Sequence, residues 1–108
     1  MILHITHTPG IIRVMDFDSG DFIWDIRKEL ENVRKHGVDF STAARAFLDP
    51  DRKVYTDSKH SAAETRFFCI GRIEGRVVTV RFVRRQDKIR IFGAGYWRSG
   101  VKYYEKED

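Results

Sequence analysis

Three apolar segments separated by short polar turns occupy residues 66–72, 76–84 and 88–94. Their apolar and polar residues alternate, which is typical of half-buried β-strands. Turns this short join antiparallel neighbours. Ile73-Glu74-Gly75 suits a three-residue hairpin loop with glycine in the left-handed conformation, and such a loop pairs Arg72 with Arg76. The sequence therefore predicts an antiparallel sheet at the centre of the fold.

The predicted registers divide the side chains of this sheet between two faces. In the second hairpin Phe82 is expected opposite Ile89, across residues 84–87, because a one-residue slip would turn every side chain over. One face then carries a core of Phe68, Ile70, Val78, Val80, Phe82, Ile89 and Ile91. The other carries Phe67, Cys69, Thr79, Arg81, Val83, Lys88, Arg90 and Phe92.

The second face places Arg81 directly opposite Arg90, and like charges on neighbouring strands destabilise a sheet. A sheet that tolerates them is expected to bind something acidic. Aromatic residues beside arginines suit nucleic acid, because bases stack on rings and guanidinium groups hold phosphates. Apolar area mixed with arginine is equally typical of protein interfaces, so this pattern leaves both partners open.

Two helices are predicted before the sheet. Asp25 is a good N-cap, and Ile26, Leu30 and Val33 recur with the spacing of one helix face, which we expect to pack inward. Gly37 stands where a helix-ending residue in left-handed conformation belongs.

The tripeptide Lys35-His36-Gly37 is thus explained as a helix terminus, with positive charge at the negative end of the helix dipole. A second helix is capped by Asp39 or Ser41, buries Ala43, Ala44 and Phe47, and ends at Asp49-Pro50. A short strand is expected at Lys53–Thr56.

Charge is distributed unevenly along the chain. Ten Lys or Arg stand against Glu74 and Asp87 in residues 66–103, a net of +8, whereas the whole chain carries +4. This asymmetry favours a phosphate-bearing or acidic partner for the C-terminal half, although a solvated basic face is the simpler alternative.

The length of 108 residues fits one domain. We assign residues 21–108 to it and treat residues 1–20 as an N-terminal extension, either short strands at 2–6 and 11–14 or residues upstream of a start at Met15. No export signal or membrane span is evident, since no apolar run reaches the roughly 20 residues that a span needs, and a cytoplasmic protein is expected. Cys69 reads as a small buried hydrophobe, and the four His and one Cys show no zinc-binding spacing, so neither metal nor cofactor is expected.

One long pattern resembles the opening of the BrnT family, the toxins of BrnT/BrnA type II toxin-antitoxin systems. It reads Phe22-x-Trp24-Asp25-x-x-Lys28-x-x-x-Asn32-x-x-Lys35-His36-Gly37-Val38-x-Phe40-x-x-Ala43-x-x-x-Phe47-x-Asp49-Pro50. The likeness continues through His60-Ser61-x-x-Glu64-x-Arg66-Phe67, Gly71, Arg85, Ile89-Arg90-Ile91 and Tyr104-Glu105, and covers about residues 21–106.

The resemblance implies a RelE-like α+β fold, with two N-terminal helices on a small antiparallel sheet and a short C-terminal helix. It implies a ribonuclease that arrests translation and is neutralised by a BrnA-like ribbon-helix-helix antitoxin in a heterotetramer, with DNA bound only through the antitoxin. One departure concerns Gly95, because many members carry arginine at its position. Either Arg98 with Tyr96 replaces that arginine, or this member cleaves RNA poorly or differently.

Metal-independent RNA cleavage requires a proton acceptor, a proton donor and positive charge at the phosphate. The catalytic candidates are Arg81, Arg90 and Arg98 for phosphate, with His60 and His36 for proton transfer. The candidates for RNA binding are Lys35, Arg66, Arg84, Arg85, Lys88, Tyr96 and Lys102. The alternative is a catalytically weak toxin homologue that acts as a protein-interaction module or co-repressor with its antitoxin.

Overall fold

The structure, a computed structural model, describes residues 16–106. The strands expected at 2–6 and 11–14 lie outside the described residues. The elements in chain order are β1 (Asp16–Ser19), β2 (Phe22–Asp25), α1 (Ile26–His36), α2 (Phe40–Ala44), β3 (Lys53–Thr56), β4 (Arg66–Ile73), β5 (Arg76–Arg85), β6 (Lys88–Gly95) and α3 (Arg98–Glu105). Short 3-10 helices occupy Arg45–Leu48 and Ser58–His60.

A six-stranded sheet in the order β1-β2-β6-β5-β4-β3 organises this α+β fold. Four of its five strand pairs are antiparallel, whereas β2 lies parallel to β6. The expectation of a small, purely antiparallel sheet is therefore wrong at this pair. Parallel pairing requires a long crossover, and here the chain between the two strands contains α1, α2 and three further strands.

The first hairpin has a two-residue loop instead of the expected three. Glu74 and Gly75 both have positive φ, 50° and 86°, which is the turn that matches the twist of paired strands. Ile73 therefore pairs with Arg76, and Cys69 with Val80. The resulting one-residue shift reverses the predicted faces of β4.

Side chains of β4 accordingly exchange places. Phe67 and Cys69 join the core beneath the N-terminal helices, while Ile70, predicted to lie there, is buried on the other side of the sheet. Burial raises the pKa of the Cys69 thiol to about 12, so it is not a nucleophile at neutral pH.

The second hairpin turns at Gln86-Asp87, so that Arg84 pairs with Ile89 and Phe82 with Ile91. This two-residue shift from the expected register preserves the faces of β5 and β6. An irregularity between Arg81 and Phe82 then sets Arg81 opposite Gly93, and Val83 opposite Arg90. The predicted direct opposition of Arg81 and Arg90 is therefore wrong, although the two remain on one face.

The sheet is covered by helices on both faces. One face packs against α1, α2 and the 3-10 helix at Arg45–Leu48, around a core that includes Trp24, Val38, Phe40, Ala43, Ala46, Cys69, Val78, Val80, Phe82, Ile91 and Ala94. On the other face α3 packs against β4 and β5, where Gly100 lies beside Ile70 and Thr79. α3 covers only part of that face, and the remainder contains the arginines considered below.

Both ends of α1 form as predicted. The Asp25 side chain accepts hydrogen bonds from the backbone N–H groups of Arg27 and Lys28, and Gly37 ends the helix with a φ of 73°. The predicted inner face is wrong, however, because Leu30 is 64% exposed and Val33 is 42% exposed. The residue of α1 that is buried is Asn32.

Asn32 fixes α1 to the sheet through its side-chain amide. β2 pairs with β6 only as far as Ile91, and beyond that point Asn32 takes the place of a strand. Its Nδ2 donates to the carbonyls of Ala94 (3.0 Å) and Val38 (2.9 Å), and its Oδ1 accepts from the Ala94 N–H (3.1 Å). The amide thus satisfies backbone groups that burial would otherwise leave unpaired.

The second helix is capped by Asp39, whose side chain accepts from the Thr42 N–H at 2.6 Å, rather than by Ser41. α2 continues directly into the 3-10 helix at Arg45–Leu48, and the pair ends at Asp49-Pro50 as expected. The carboxylate of Asp49 then accepts from the Arg72 N–H (2.6 Å) and the Tyr104 hydroxyl (2.5 Å). Asp49 therefore joins α3 to the helical side of the domain.

Replacing Asn32 by Ala should lower the free energy of unfolding by about 3 kcal/mol, because buried backbone groups at Ala94 and Val38 lose their partners. The matched control is Leu30→Ala in the same helix, which removes a larger but exposed side chain and should change stability by less than about 0.5 kcal/mol. Urea unfolding of both variants makes the comparison. Equal effects of the two substitutions would show that the amide does not hold α1.

Replacing Tyr104 by Phe should cost about 1 kcal/mol at neutral pH, and less in acid. Burial raises the pKa of Asp49, but the hydrogen bonds from Tyr104 and from backbone N–H groups outweigh it, and the net pKa lies below the ordinary 3.8. A carboxyl group whose pKa is lowered in the folded state stabilises the fold at pH values above its unfolded-state pKa. This stabilisation is lost as the pH falls through its folded-state pKa.

The unfolding free energies of wild type and Tyr104→Phe should therefore converge as the pH falls from the ordinary value of 3.8 through the lowered folded-state pKa of Asp49, as urea titrations can measure. Tyr103→Phe is the control on the same helix. Because Tyr103 is half exposed, this substitution should leave the unfolding free energy nearly unchanged at every pH. A constant difference between wild type and Tyr104→Phe across this range would remove Asp49 from the explanation.

Candidate nucleic-acid interface

Five cationic side chains and one carboxylate line a groove on the part of the sheet that α3 leaves open. We call it the basic groove; it is formed by Lys28, Glu64, Arg66, Arg81, Val83, Arg85, Arg90 and Phe92. β4, β5 and β6 supply its floor, and Lys28 projects from α1. The expectation that Arg81 and Arg90 occupy the same face is confirmed.

Arg66 and Arg81 are arranged around an aromatic ring. The guanidinium carbon of Arg81 lies 4.9 Å from the ring centroid of Phe92, and that of Arg66 lies 5.1 Å from it. Within residues 16–106, no carboxylate forms an ion pair with either arginine. Cation–π contact orients both side chains while leaving their charge available to a phosphate.

Glu64 is the carboxylate of the basic groove. Its two oxygens accept from Arg85, Oε2 from Nε at 3.1 Å and Oε1 from Nη2 at 3.0 Å. This bidentate hydrogen bonding lowers the pKa of Glu64, so the group is ionised at neutral pH. Glu64 thus pairs with Arg85 rather than with Arg66, which is nearer in sequence.

A second pocket continues the basic groove along α1. This α1 pocket shares Lys28, Arg81 and Phe92 with the groove, and adds Glu31, Asn32, Lys35, His36, Gly93 and Trp97. Lys35 forms an ion pair with Glu31 at 3.2 Å, and the hydrogen bond between them lowers the pKa of Glu31. The His36 ring meets the Trp97 ring edge-on, with centroids 5.2 Å apart.

Lys35 and His36 therefore have two roles in the geometry. They end α1, as the capping pattern predicts, and their side chains also line the pocket next to Arg81. The structure thus brings together six of the residues singled out in the sequence: Arg66, Arg81, Arg85, Arg90, Lys35 and His36.

Other predicted site residues lie elsewhere. His60 is held by Asp57, with 2.9 Å between Nδ1 and Oδ2, in the loop before β4. Arg84 lies over the Phe67 ring and, with Lys88, lines a depression near Phe22 and Phe47. Tyr96 packs against the core beneath the guanidinium of Arg76, while Arg98 and Lys102 are exposed on α3. None of these residues lines the basic groove or the α1 pocket.

Sequence reasoning missed Lys28 and Glu64 in the basic groove and Trp97 in the α1 pocket. Lys28 and Lys35 are seven positions apart, and two helical turns place them on one side of α1. That signal was available, but the apolar spacing of Leu30 and Val33 pointed to a different inner face. Trp97 belongs to the site only through contacts distant in sequence, for which no local signal exists.

In the portion of the chain covered by residues 16–106, no His, Cys, Asp or Glu side chains cluster in threes in a way that suits a metal ion. No helix there is long and apolar enough to cross a membrane.

The open face of this α+β domain combines cationic side chains with aromatic rings, which is the chemistry that a phosphate-bearing ligand requires of a binding surface. A family profile described as "Ribonuclease toxin, BrnT, of type II toxin-antitoxin system" matches residues 24–100. The chain belongs to this family of ribonuclease toxins, and the resemblance found in the sequence is confirmed. The matched range contains every residue of the basic groove and the α1 pocket. A search of the curated proteins gave no match.

Replacing Glu64 by Gln should tighten the binding of single-stranded RNA about fivefold, because it removes a negative charge from the groove and opens the ion pair with Arg85. One charge contact in water is worth about 1 kcal/mol. The control is Glu74→Gln, which opens the Glu74–Arg45 pair outside the groove. Fluorescence anisotropy of labelled RNA at fixed salt measures both. Weaker binding by Glu64→Gln would mean that Glu64 positions Arg85 for the ligand.

Proposed function

We propose that this protein is a metal-independent endoribonuclease that arrests translation by cleaving RNA. The observation that carries the proposal is the placement of Arg66, Arg81 and Arg90 on one open face, where the first two contact the Phe92 ring. The family description, a ribonuclease toxin, supports the same activity.

In this mechanism the arginines bind the phosphate that is attacked. The 2′-OH of the preceding ribose loses its proton and attacks the phosphorus, and negative charge accumulates on the non-bridging oxygens. The P–O5′ bond then breaks, which leaves a 2′,3′-cyclic phosphate, and the departing 5′-oxygen takes up a proton. Guanidinium groups suit this role because each donates two parallel hydrogen bonds and stays charged throughout. Arg81 lies where the basic groove meets the α1 pocket, so we assign it to the scissile phosphate, with Arg90 and Arg66 holding neighbouring phosphate oxygens.

Proton transfer falls to the groups beside these arginines. His36 lines the α1 pocket next to Arg81, and an imidazole exchanges protons readily near neutral pH. Glu64 is the carboxylate of the basic groove, and we assign it to accept the proton of the 2′-OH on the ground of its position. His60 and Arg98 stay predictions as catalytic residues, and nothing in the groove geometry supports them.

The proposed partner is a BrnA-like ribbon-helix-helix antitoxin that neutralises the toxin in a heterotetramer and alone contacts DNA. A toxin-antitoxin family supports an antitoxin partner. We also propose a RelE-like arrangement, supported by helices packed on a central sheet and by a short C-terminal helix. The toxin domain proper is assigned to residues 21–108, after an extension of residues 1–20, and the site of action is the cytoplasm.

The double variant Arg81→Glu/Arg90→Glu tests the proposal. Cleavage should fall at least about 100-fold, the scale on which transition-state charge stabilisation is lost, and growth arrest should disappear. Arg34→Glu is the control for charge reversal outside the site, because Arg34 is exposed on α1 beside Glu31 and lines neither the groove nor the α1 pocket. The measurements are growth and RNA integrity after induction, with circular dichroism to verify folding.

Retained toxicity in the folded double variant would remove the open face from the mechanism. Intact RNA and normal growth on induction of the wild type would instead favour the alternative, a catalytically weak toxin homologue that serves as an interaction module or co-repressor. That alternative is motivated by Gly95, which stands at a position where many members carry arginine.

A further inference from the structure

The two tryptophans of the chain differ in their surroundings. Trp24 is 2% exposed, and its Nε1 donates to Glu29 at 2.9 Å, as expected of a core tryptophan. Trp97 is only half-buried, it lines the α1 pocket, and its indole N–H has no hydrogen-bond partner among residues 16–106. Its ring therefore requires an explanation other than core packing.

The Trp97 ring is held against the backbone of Gly95. A Cβ added at Gly95 would lie 2.6 Å from ring atom Cε2 and 2.7 Å from Cζ2, so only glycine allows this approach. The backbone of Trp97 is fixed as well, because its carbonyl accepts from the N–H groups of Gly100 (3.0 Å) and Val101 (3.2 Å) at the start of α3. The edge-on contact with His36 completes the seat of the ring.

The surroundings of the ring combine the two features that bind single-stranded nucleic acid. Arg81 and Lys28 supply positive charge in the same pocket, where Lys35 is paired with Glu31, and Trp97 supplies an aromatic surface. Unpaired bases stack on such rings, whereas bases inside a duplex already stack on each other. A ring held in place loses little conformational freedom when a base binds to it.

We propose that Trp97 is a nucleobase platform, which stacks an unpaired base adjacent to the phosphate held by Arg81. The inference rests on the proposed function for the identity of its ligand, RNA, and goes further by restricting the substrate to single-stranded segments. Purines should bind better than pyrimidines, because their larger ring system covers more of the indole. Trp97 is thus assigned to substrate selection rather than to proton transfer.

The direct test follows tryptophan fluorescence during titration with a 2′-O-methyl RNA oligonucleotide, which binds but cannot be cleaved. In Trp24→Phe the indole of Trp97 is the single tryptophan, and stacking should quench its emission. A duplex of the same sequence should leave the emission unchanged. Quenching that is absent while anisotropy reports binding would overturn the proposal.

Affinity gives an independent readout. Trp97→Leu should weaken binding of the single-stranded oligonucleotide about tenfold, Trp97→Phe should restore most of the loss, and Trp24→Phe should bind as the wild type does. Gly95→Ala should also weaken binding, because the new Cβ displaces the ring without altering any charge in the groove. If Trp97 were merely structural, Trp97→Leu would lower stability, and the affinity for RNA would not depend on whether the bases are purines or pyrimidines.

Failure of the inference and failure of the proposed function give different results. If the wild type cleaves RNA and Trp97→Leu binds single strands equally well, the platform is wrong and the nuclease stands. If single-stranded RNA binds and quenches the tryptophan emission but is never cleaved by the wild type, the platform stands and the nuclease is wrong. A wild type that binds no single-stranded RNA overturns the platform.

Discussion

The contact between the Asn32 amide and the Ala94 backbone determines where α1 lies, and the candidate site follows from that position. Since β2 ends beside Ile91, the edge of β6 would be open at Ala94 without Asn32. The helix that carries Asn32 is thereby held at a strand edge, where one of its sides borders the open face of the sheet. Lys28 and Lys35 consequently reach the pocket, while Leu30 is left in solvent.

The same logic of local geometry governs the arginines. The irregularity between Arg81 and Phe82 shifts Arg81 from Phe92 to Gly93 as its partner, and bulges of this kind redirect side chains. Phe92 then lies close enough to contact the guanidinium groups of both Arg66 and Arg81. An aromatic ring holds these like charges together without neutralising them, which a carboxylate would do. Arg66 and Arg81 therefore both remain charged and able to bind a phosphate, although they lie close together on the sheet.

Sequence reasoning succeeded where a few neighbouring residues decide the outcome. Asp25 and Gly37 bound α1, and the extents of the three central strands follow from alternation and turns. It failed where a distant contact or a single turn residue decides. The left-handed Glu74 shortens a loop and reverses the faces of β4, and β6 selects β2 and Asn32 as partners from far along the chain. Because Arg81 and Arg90 lie on β5 and β6, whose faces the register error spared, the centre of the site was predictable. On α1, Lys35 and His36 were also predicted, whereas Lys28 was missed because the apolar spacing of Leu30 and Val33 indicated another inner face.

Cationic side chains and aromatic rings contribute differently to the choice of substrate. Guanidinium groups bind any phosphate chain, paired or unpaired, so Arg66, Arg81 and Arg90 alone give affinity without discrimination. Discrimination requires a surface that rewards an exposed base, and in this site the candidates are the rings of Phe92 and Trp97. Phe92 is already engaged by two arginines, whereas Trp97 is seated on Gly95, with backbone on one side and the pocket beside it. Under the proposed function, binding strength therefore comes from the arginines of β4, β5 and β6, and substrate selection comes from the segment that leads into α3.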